Sequence, residues 1–344
     1  LTAPTILPTV TVIVAAFNEE AHIVGRIDNL LWQDYPVDRL RILVGSDGST
    51  DRTVMLAREF RNPQVHVEEF KLNRGKASVL NDLVARADGE ILVFTDANTL
   101  FEKDTVRQLV AAMDAQTAAV CGELILEHSV KKGSNSDHLY WTAERRLKVA
   151  ESTIGGLLGA NGGVYAIRRN GFQPLRVDTI CDDFIIVMNI ASTGRGLKYA
   201  SAAVAYEGTP RDVTAEFHRR SRIGIGNYQA LFRHPEYLFR GPLVMRFTYF
   251  SHKVLRWLTP HLLLTILATS VLLASHDAYH GFVILQLAGY VASFAVFLLR
   301  DRIEWPKLVR TLLFFVVLNA AFLVGFKRFV FSNYQGSWRR IGRT

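Results

Sequence analysis

Cysteine is scarce in this chain: two among 344 residues, Cys121 and Cys181. That excludes a disulfide framework and offers no zinc-site spacing. Both cysteines sit in apolar settings, which predicts buried free thiols in a reducing compartment. No Lys/Arg run is interleaved with aromatics, so stacking on nucleic-acid bases has no footprint and no nucleic-acid partner is expected. The chain opens LTAPTILP, with neither a starting Met nor a signal-peptide pattern, and an upstream segment or further membrane span stays open. Apolar residues, by contrast, are plentiful at 49%, with a mean hydropathy of +0.14. That is high for a wholly soluble protein, and the excess lies beyond about Arg240. The net charge is +8. Its basic residues gather at the two ends of the apolar third, as expected beside an anionic cytoplasmic leaflet.

The first half alternates between two periodicities. Thr9–Ala15 (TVTVIVA) is a β-branched run ended by a polar turn, hence a buried strand. Ile23, Ile27, Leu30 and Leu31 give helical spacing over Glu20–Leu31, with Asn18 as candidate N-cap. Strands at Arg41–Gly45, Val65–Glu68 and Ile91–Thr95 alternate with helices at Asp51–Phe60 and Lys76–Ala87. The pattern predicts an α/β fold, a mostly parallel sheet covered by helices on both faces. Ligands of such sheets gather at the carboxyl ends of strands. Ser46/Asp47 and Asp96/Asn98 fall there. Further on come a strand over Ala118–Leu126, a polar loop HSVKKGSNSD and a helix over His138–Ser152. The Gly-rich turn GANGGVYAIRR then enters a strand. A helix over Asp182–Ser192, short strands near Lys198–Tyr199 and Val204–Glu207, and a helix over Ala215–Phe232 complete this part.

Leu243–Trp257 reads as an amphipathic helix lying flat in a bilayer interface. Leu243, Phe247, Phe250, Val254 and Trp257 share one face, and Arg246, Lys253 and Arg256 the other. Three apolar stretches follow, Trp257–Ser275, Gly281–Leu299 and Leu308–Phe326, each near the ~20 residues that span a hydrocarbon core. The linker SHDAYH lacks Lys and Arg while RDRIEWPK is basic, which puts the first outside and the second inside. The basic tail SWRRIGRT would then lie outside against the same rule, so the side of the C-terminus stays open.

Acidic stations punctuate the first part: FNEE, SDGSTD, TDAN and CDDF, with NRGKASVLN between the second and third. Carboxylates at strand ends with a Lys–Gly loop among them suit a nucleotide diphosphate held with Mg²⁺ or Mn²⁺. Asp96 would bind the metal, with Asn98 ligating directly or through water; an Asx-rich helix cap is the plainer alternative. Asp47 is placed to accept hydrogen bonds from a nucleobase or ribose, ahead of a helix N-terminus that favours negative charge. Lys76 is a natural phosphate contact. Asp182 and Asp183 are adjacent acids at a helix start, where one has a raised pKa and acts as general base, or both merely cap the helix. Glu19 and Glu20 read as first-turn acids with a structural or nucleotide-adjacent role.

The series FNEE, SDGSTD, NRGKASVLN, TDAN, GANGG, CDDF and RRSRI resembles the family 2 glycosyltransferases. Within them it is most similar to the membrane-embedded cellulose, chitin, hyaluronan and poly-N-acetylglucosamine synthases, over about Pro8 to Leu231. The resemblance implies a GT-A fold over residues 1–240, an interfacial helix over 241–257, a membrane region over 258–331 and a basic tail over 332–344. It implies inverting transfer from a UDP-sugar to a glycan or lipid-linked acceptor, with the catalytic domain on the cytosolic side of a bacterial-type inner membrane. Asp183 matches the base and Asp182 the acid beside it. Ala15, Phe17, Glu19, Asp47, Lys76, Asp96 and Arg222 form the nucleotide-binding set. Trp141, Glu144, Asn161 and Gly162 lie toward the acceptor.

The departures from the family pattern are specific. Ser46 stands where many members carry Asp, and Asn98 replaces the second acid of the DxD metal motif. RRSRI (Arg219–Ile223) occupies the place of QxxRW. An indole offers a sugar ring a flat platform, and isoleucine gives only apolar contact. Transfer of one or a few sugars therefore stands beside polymerisation. A membrane-anchored nucleotide-sugar-binding scaffold without turnover is the competing reading. A soluble nucleotidyltransferase would share the sheet and leave the apolar third unexplained.

Overall fold

The computed structural model describes residues 7–127, 135–208, 213–299, 302–303 and 305–332. The loop HSVKKGSNSD lies largely outside them, as do part of RDRIEWPK, the tail SWRRIGRT and the side chain of Trp141.

Elements alternate as the periodicities require. They run β1 (Val10–Ala16), α1 (Ile23–Leu31), β2 (Leu40–Asp47), α2 (Thr53–Arg58), β3 (Val65–Phe70), α3 (Lys76–Arg86) and β4 (Ile91–Asp96). Next come β5 (Thr99–Phe101), α4 (Thr105–Ala111), β6 (Thr117–Glu127), α5 (Asn135–Thr153), β7 (Tyr165–Arg168), α6 (Asp182–Ser192), β8 (Gly196–Gly208) and α7 (Val213–Arg233). The strands form one 8-stranded sheet of order β3-β2-β1-β4-β7-β6-β8-β5. β3, β2, β1 and β4 run parallel to one another. β7 then runs antiparallel to both β4 and β6, and β5 antiparallel to β8, whereas β6 and β8 pair in parallel. The sheet is mixed: the β1/β2, β1/β4, β2/β3 and β6/β8 pairings are parallel and the other three antiparallel. The chain winds outward from β1 to β3 and then crosses to β4 on the other side of β1. The resulting switch point lies between β1 and β4, where Ala15 is paired with Asp96. Such a reversal opens a crevice at the carboxyl edge.

β1 is buried along its whole length, as a central strand covered on both faces must be. One core packs α1, α2 and α4 against the sheet. The other packs α3 and α6 and continues into Tyr249, Val254, Trp257 and Phe322. The α3/α6 layer and the apolar helices therefore share one core.

Several boundaries differ from the sequence reading. α1 begins at Ile23 without a side-chain cap. Asn18 instead adopts φ 54° in the preceding loop, a left-handed conformation that Asn tolerates. There its Oδ1 accepts from the Thr50 N–H at 2.8 Å. β5, only three residues long, carries too few positions to show a period. The two short strands expected near Lys198 and Val204 are one strand, β8, whose pairing with β6 shifts register between Gly122 and Glu123.

The largest difference concerns 243–257. Helix α8 (Leu243–Thr248), a π-helical turn over Tyr249–Val254 and helix α9 (Leu255–Leu272) follow one another without a break. Together they form one of three helices, among the described residues, long and apolar enough to cross a membrane, with α10 (Asp277–Leu299) and the Thr311–Phe331 part of α11 (Lys307–Phe331). A π turn closes its bonds one residue later than an α turn, so side chains beyond it rotate off the regular stripe. Leu243, Phe247 and Phe250 are exposed, whereas Val254 and Trp257 are buried. Lys253 and Arg256 turn inward onto α5. The single apolar face and opposing basic face inferred from regular spacing do not survive.

Candidate active site

Asp96 ends β4, Lys76 opens α3 and Asp182 opens α6. The three meet over the β1/β4 crevice. The Lys76 ammonium donates to Asp96 Oδ1 at 2.9 Å and lies 3.2 Å from Asp182 Oδ2. One positive charge thus joins two carboxylates from opposite ends of the domain. Burial alone would lower the Lys76 pKa, but Asp182 and Asp96 overcome it and hold the ammonium above the ordinary lysine range. Asp183 lies beside them. Burial, then the charge of Asp182, push its carboxyl up to about 6, against the pull of Lys76 and the Phe184 N–H. A Cβ at position 162 would stand 3.2 Å from Asp183 Oδ2. Gly162 therefore leaves that oxygen room that any side chain would take. Asn98 is half-buried in the turn after Asp96.

The nucleotide stations do much of their bonding among themselves. Asp47 is fully buried, and its two oxygens accept from the backbone N–H groups of Arg74 (2.9 Å) and Gly75 (2.8 Å). Gly75 has φ 90°, a conformation in which glycine avoids the Cβ penalty. In this structure, then, Asp47 shapes the loop that presents Lys76. FNEE and SDGSTD interlock in the same way. The Asn18 N–H donates to Ser49 Oγ at 3.0 Å, and the Glu19 N–H to Thr53 Oγ1 at 2.8 Å. The Glu19 carboxylate meets His22 at 2.8 Å. Ala15 is buried in β1 and Phe17 is half-buried just past it.

The residues expected toward the acceptor divide. Asn161 is held in place, its Nδ2 donating to Gly122 O at 2.7 Å and its Oδ1 accepting from Lys148. Gly162, the next residue, borders Asp183. Glu144 has other partners. It is buried with Arg256 at 3.0 Å, Lys253 at 3.3 Å and His252 at 3.5 Å. Despite burial, Lys253, His252 and Arg256 hold its carboxyl well below the usual range. An acid so enclosed is a tie between α5 and the first apolar helix.

Arg222 is exposed on α7. Burial and Asp183 push the Cys181 thiol up, while Arg222 draws it back, so this cation stands near the turn that carries Asp182 and Asp183. α7 is wedged tightly there. A Cβ on Gly226 would overlap Cys181 Sγ, and one on Gly224 would meet Gly325 Cα of α11 at 3.5 Å. Phe184, next to Asp183, packs on Tyr249 and Trp257 with ring centroids 6.2 and 5.7 Å away.

Two residues of this region escaped the sequence reading. Tyr165, buried on β7, has a hydroxyl without a hydrogen-bond partner. Burial, then Asp182, Asp183 and Asp96, raise its pKa far above the ordinary value. Arg26 is fully buried on α1 behind Asp96. Its signal was present: it falls on the apolar stripe of Ile23, Ile27 and Leu30, where a charge is out of place.

Among the described residues no group of three or more His, Cys, Asp or Glu is placed to enclose a metal ion. A Mg²⁺-type ion does not need one. It commonly takes one or two carboxylates and completes its shell with substrate phosphates and water. Asp96 and Asp182, already held on either side of one positive charge, are hard oxygen donors compatible with that requirement.

Comparison with known proteins agrees with this architecture. Residues 11–173 match the family described as Glycosyl transferase family 2. The chain is 27% identical over 241 residues to the probable glycosyltransferase YdaM of Bacillus subtilis, covering 64% of this chain and 56% of that protein. It is 27% identical over 272 residues to a β-monoglucosyldiacylglycerol synthase of Synechocystis, covering 74% and 55%. The fold matches that of a mannosyltransferase, PcManGT of Pyrobaculum calidifontis, solved in complex with GDP-Man and Mn²⁺. That match has a TM-score of 0.69 at 24% identity, over 96% of this chain and 89% of that one. Residues 11–173 thus match a family 2 glycosyltransferase domain, and the fold is of the GT-A kind. The chain spans about half the length of the curated relatives it matches.

Proposed function

We propose that the protein transfers a sugar, with inversion, from a UDP-sugar to a hydroxyl of a glycan or lipid-linked acceptor at a membrane face. One observation carries this reading: Asp96, Lys76, Asp182 and Asp183 converge at the switch-point crevice, with one ammonium joining carboxylates from β4 and α6. Asp96, with Asn98 and the donor's own phosphates, would hold Mg²⁺ or Mn²⁺. Such an ion, when bound, neutralises the charge that develops on the departing diphosphate. Lys76 and Arg222 supply positive charge for the same phosphates. Asp183 takes the proton of the acceptor hydroxyl as that oxygen bonds to the anomeric carbon. The bond from that carbon to the diphosphate breaks, and its electron pair leaves with the nucleotide. Asp182 keeps Asp183 basic through its negative charge. Asn161 and Gly162 line the acceptor side. Asp47, Ala15, Phe17 and Glu19 shape the nucleotide end.

Phe184, the residue after Asp183, packs on the first apolar helix. That favours an acceptor reached from a bilayer surface, and the likeness to a glucosyldiacylglycerol synthase supports a lipid-linked one. In this reading the catalytic domain, up to about residue 240, lies on the cytosolic face of an inner membrane, with the apolar helices crossing it. The test is a panel of UDP- and GDP-sugars with Mg²⁺ or Mn²⁺ in detergent, with lipid and oligosaccharide acceptors. Release of UDP coupled to a glycosylated product is expected. Turnover with GDP-sugars alone would replace the donor, and turnover with none of them would remove the activity.

A further inference from the structure

Arg26 is 0% exposed, on the stripe by which α1 packs against the sheet. A buried guanidinium is costly unless it is paired and hydrogen-bonded. Its Nη2 donates to Thr95 Oγ1 at 2.7 Å, and its Nη1 to Asn29 Oδ1 at 2.6 Å. Its plane covers the Phe101 ring, 4.2 Å from the centroid. Its Nε lacks a hydrogen-bond partner. Both hydrogen-bond acceptors are neutral, and the negative charge that acts on the guanidinium is Asp96. Asn29 in turn grips the backbone of Phe101 on both sides. Its Oδ1 accepts from the Phe101 N–H and its Nδ2 donates to the Phe101 carbonyl, each at 2.8 Å.

These bonds bracket one turn. Thr95 immediately precedes Asp96, and Phe101 ends β5, so both ends of the segment carrying Asp96 and Asn98 are tied to one face of α1. We propose that Arg26, acting with Asn29, is a positioning residue that fixes the Asp96–Asn98 turn for a divalent cation and the diphosphate it accompanies. The inference rests on the reading of Asp96 as a metal ligand. It adds a residue that lies behind the site and never touches the substrate. A residue that merely filled the core would serve stability alone; a clamp on this turn serves the metal-dependent part of nucleotide binding in particular. Partners that orient a metal ligand typically change metal affinity by roughly 10- to 100-fold when removed.

The experiment titrates UDP and GDP into the full chain in detergent, once with Mn²⁺ and once with EDTA, and records thermal unfolding in parallel. The wild type is expected to gain nucleotide affinity with Mn²⁺. Arg26→Met should lose that gain by roughly 10- to 100-fold while keeping its affinity in EDTA. Thr95→Val, which removes only the hydroxyl that Arg26 holds, should lose it in the same direction. Thr95→Ser, which keeps the hydroxyl, should stay near wild type. If Arg26→Met does not fold, the Val/Ser pair at position 95 decides. An undiminished Mn²⁺ gain in folded Arg26→Met or Thr95→Val would overturn the clamp, as would an equal loss with and without metal. A wild type that gains nothing from Mn²⁺ would instead remove the metal-site reading itself, and the clamp with it.

Discussion

Two buried acids in this protein have opposite environments. Asp183 sits in the crevice with Asp182 for a neighbour, and burial pushes its carboxyl up to about 6. Glu144 sits at the root of the first apolar helix, where Lys253, His252 and Arg256 outweigh burial and hold it well below the ordinary range. Burial penalises the charged form at both positions; the sign of the neighbouring charge separates them. A carboxylate beside another carboxylate is poised to take a proton, whereas one enclosed by cations has become a fixed tie. The same contrast runs through the larger regions. The β1–β4 half offers polar groups at an open strand edge. The half built on α5, α7 and the apolar helices uses its charges to hold the α/β layer to the apolar helices.

The comparison is broken most directly at Asp183. Asp183→Asn should lower kcat by ~10²–10⁴ and leave nucleotide affinity in place, whereas Glu144→Gln should reduce stability more than it changes the chemical step. Equal loss of turnover by both variants would erase the distinction. Asp96→Ala should remove the Mn²⁺-dependent part of UDP affinity, by roughly 10- to 100-fold, read by calorimetry with and without metal. The pH profile gives a gentler test. Because the pKa of Asp183 is raised to about 6, the base is protonated below that value. kcat/KM should then fall about tenfold per unit as pH drops beneath it. A profile flat down to pH 4 would separate Asp183 from the rate. Gly226→Ala would press a methyl group onto Cys181 Sγ. It should cost about 1–3 kcal/mol in thermal unfolding and disturb the turn carrying Asp182. Lys253→Met should have the smallest effect, about 1 kcal/mol, since Arg256 and His252 remain beside Glu144.

The parallel half was legible because its signals are local. A β-branched run, a polar turn and a helical stripe can each be read within ten residues, and the stations fall at strand ends for the same reason. The other half was harder. Regular spacing over 243–257 gave an interfacial helix, but the π turn over Tyr249–Val254 rotated the basic side chains onto Glu144. Asp47 was placed at the nucleotide because it ends a strand. Only folding revealed that the amides of Arg74 and Gly75 occupy both its oxygens. Arg26 was visible as a charge on an apolar stripe, yet its partner Thr95 lies 69 residues away.

By itself, then, the sequence determined the alternating fold, the placing of acids past strand ends and an apolar third long enough to cross a bilayer. These follow from periodicity and composition, which each segment carries alone. Tertiary structure decided the partners: which acids face one another, which face cations, and which glycines permit backbone contact with α11. A pKa, an ion pair or a close approach is a property of groups distant in the chain, and only packing brings them together.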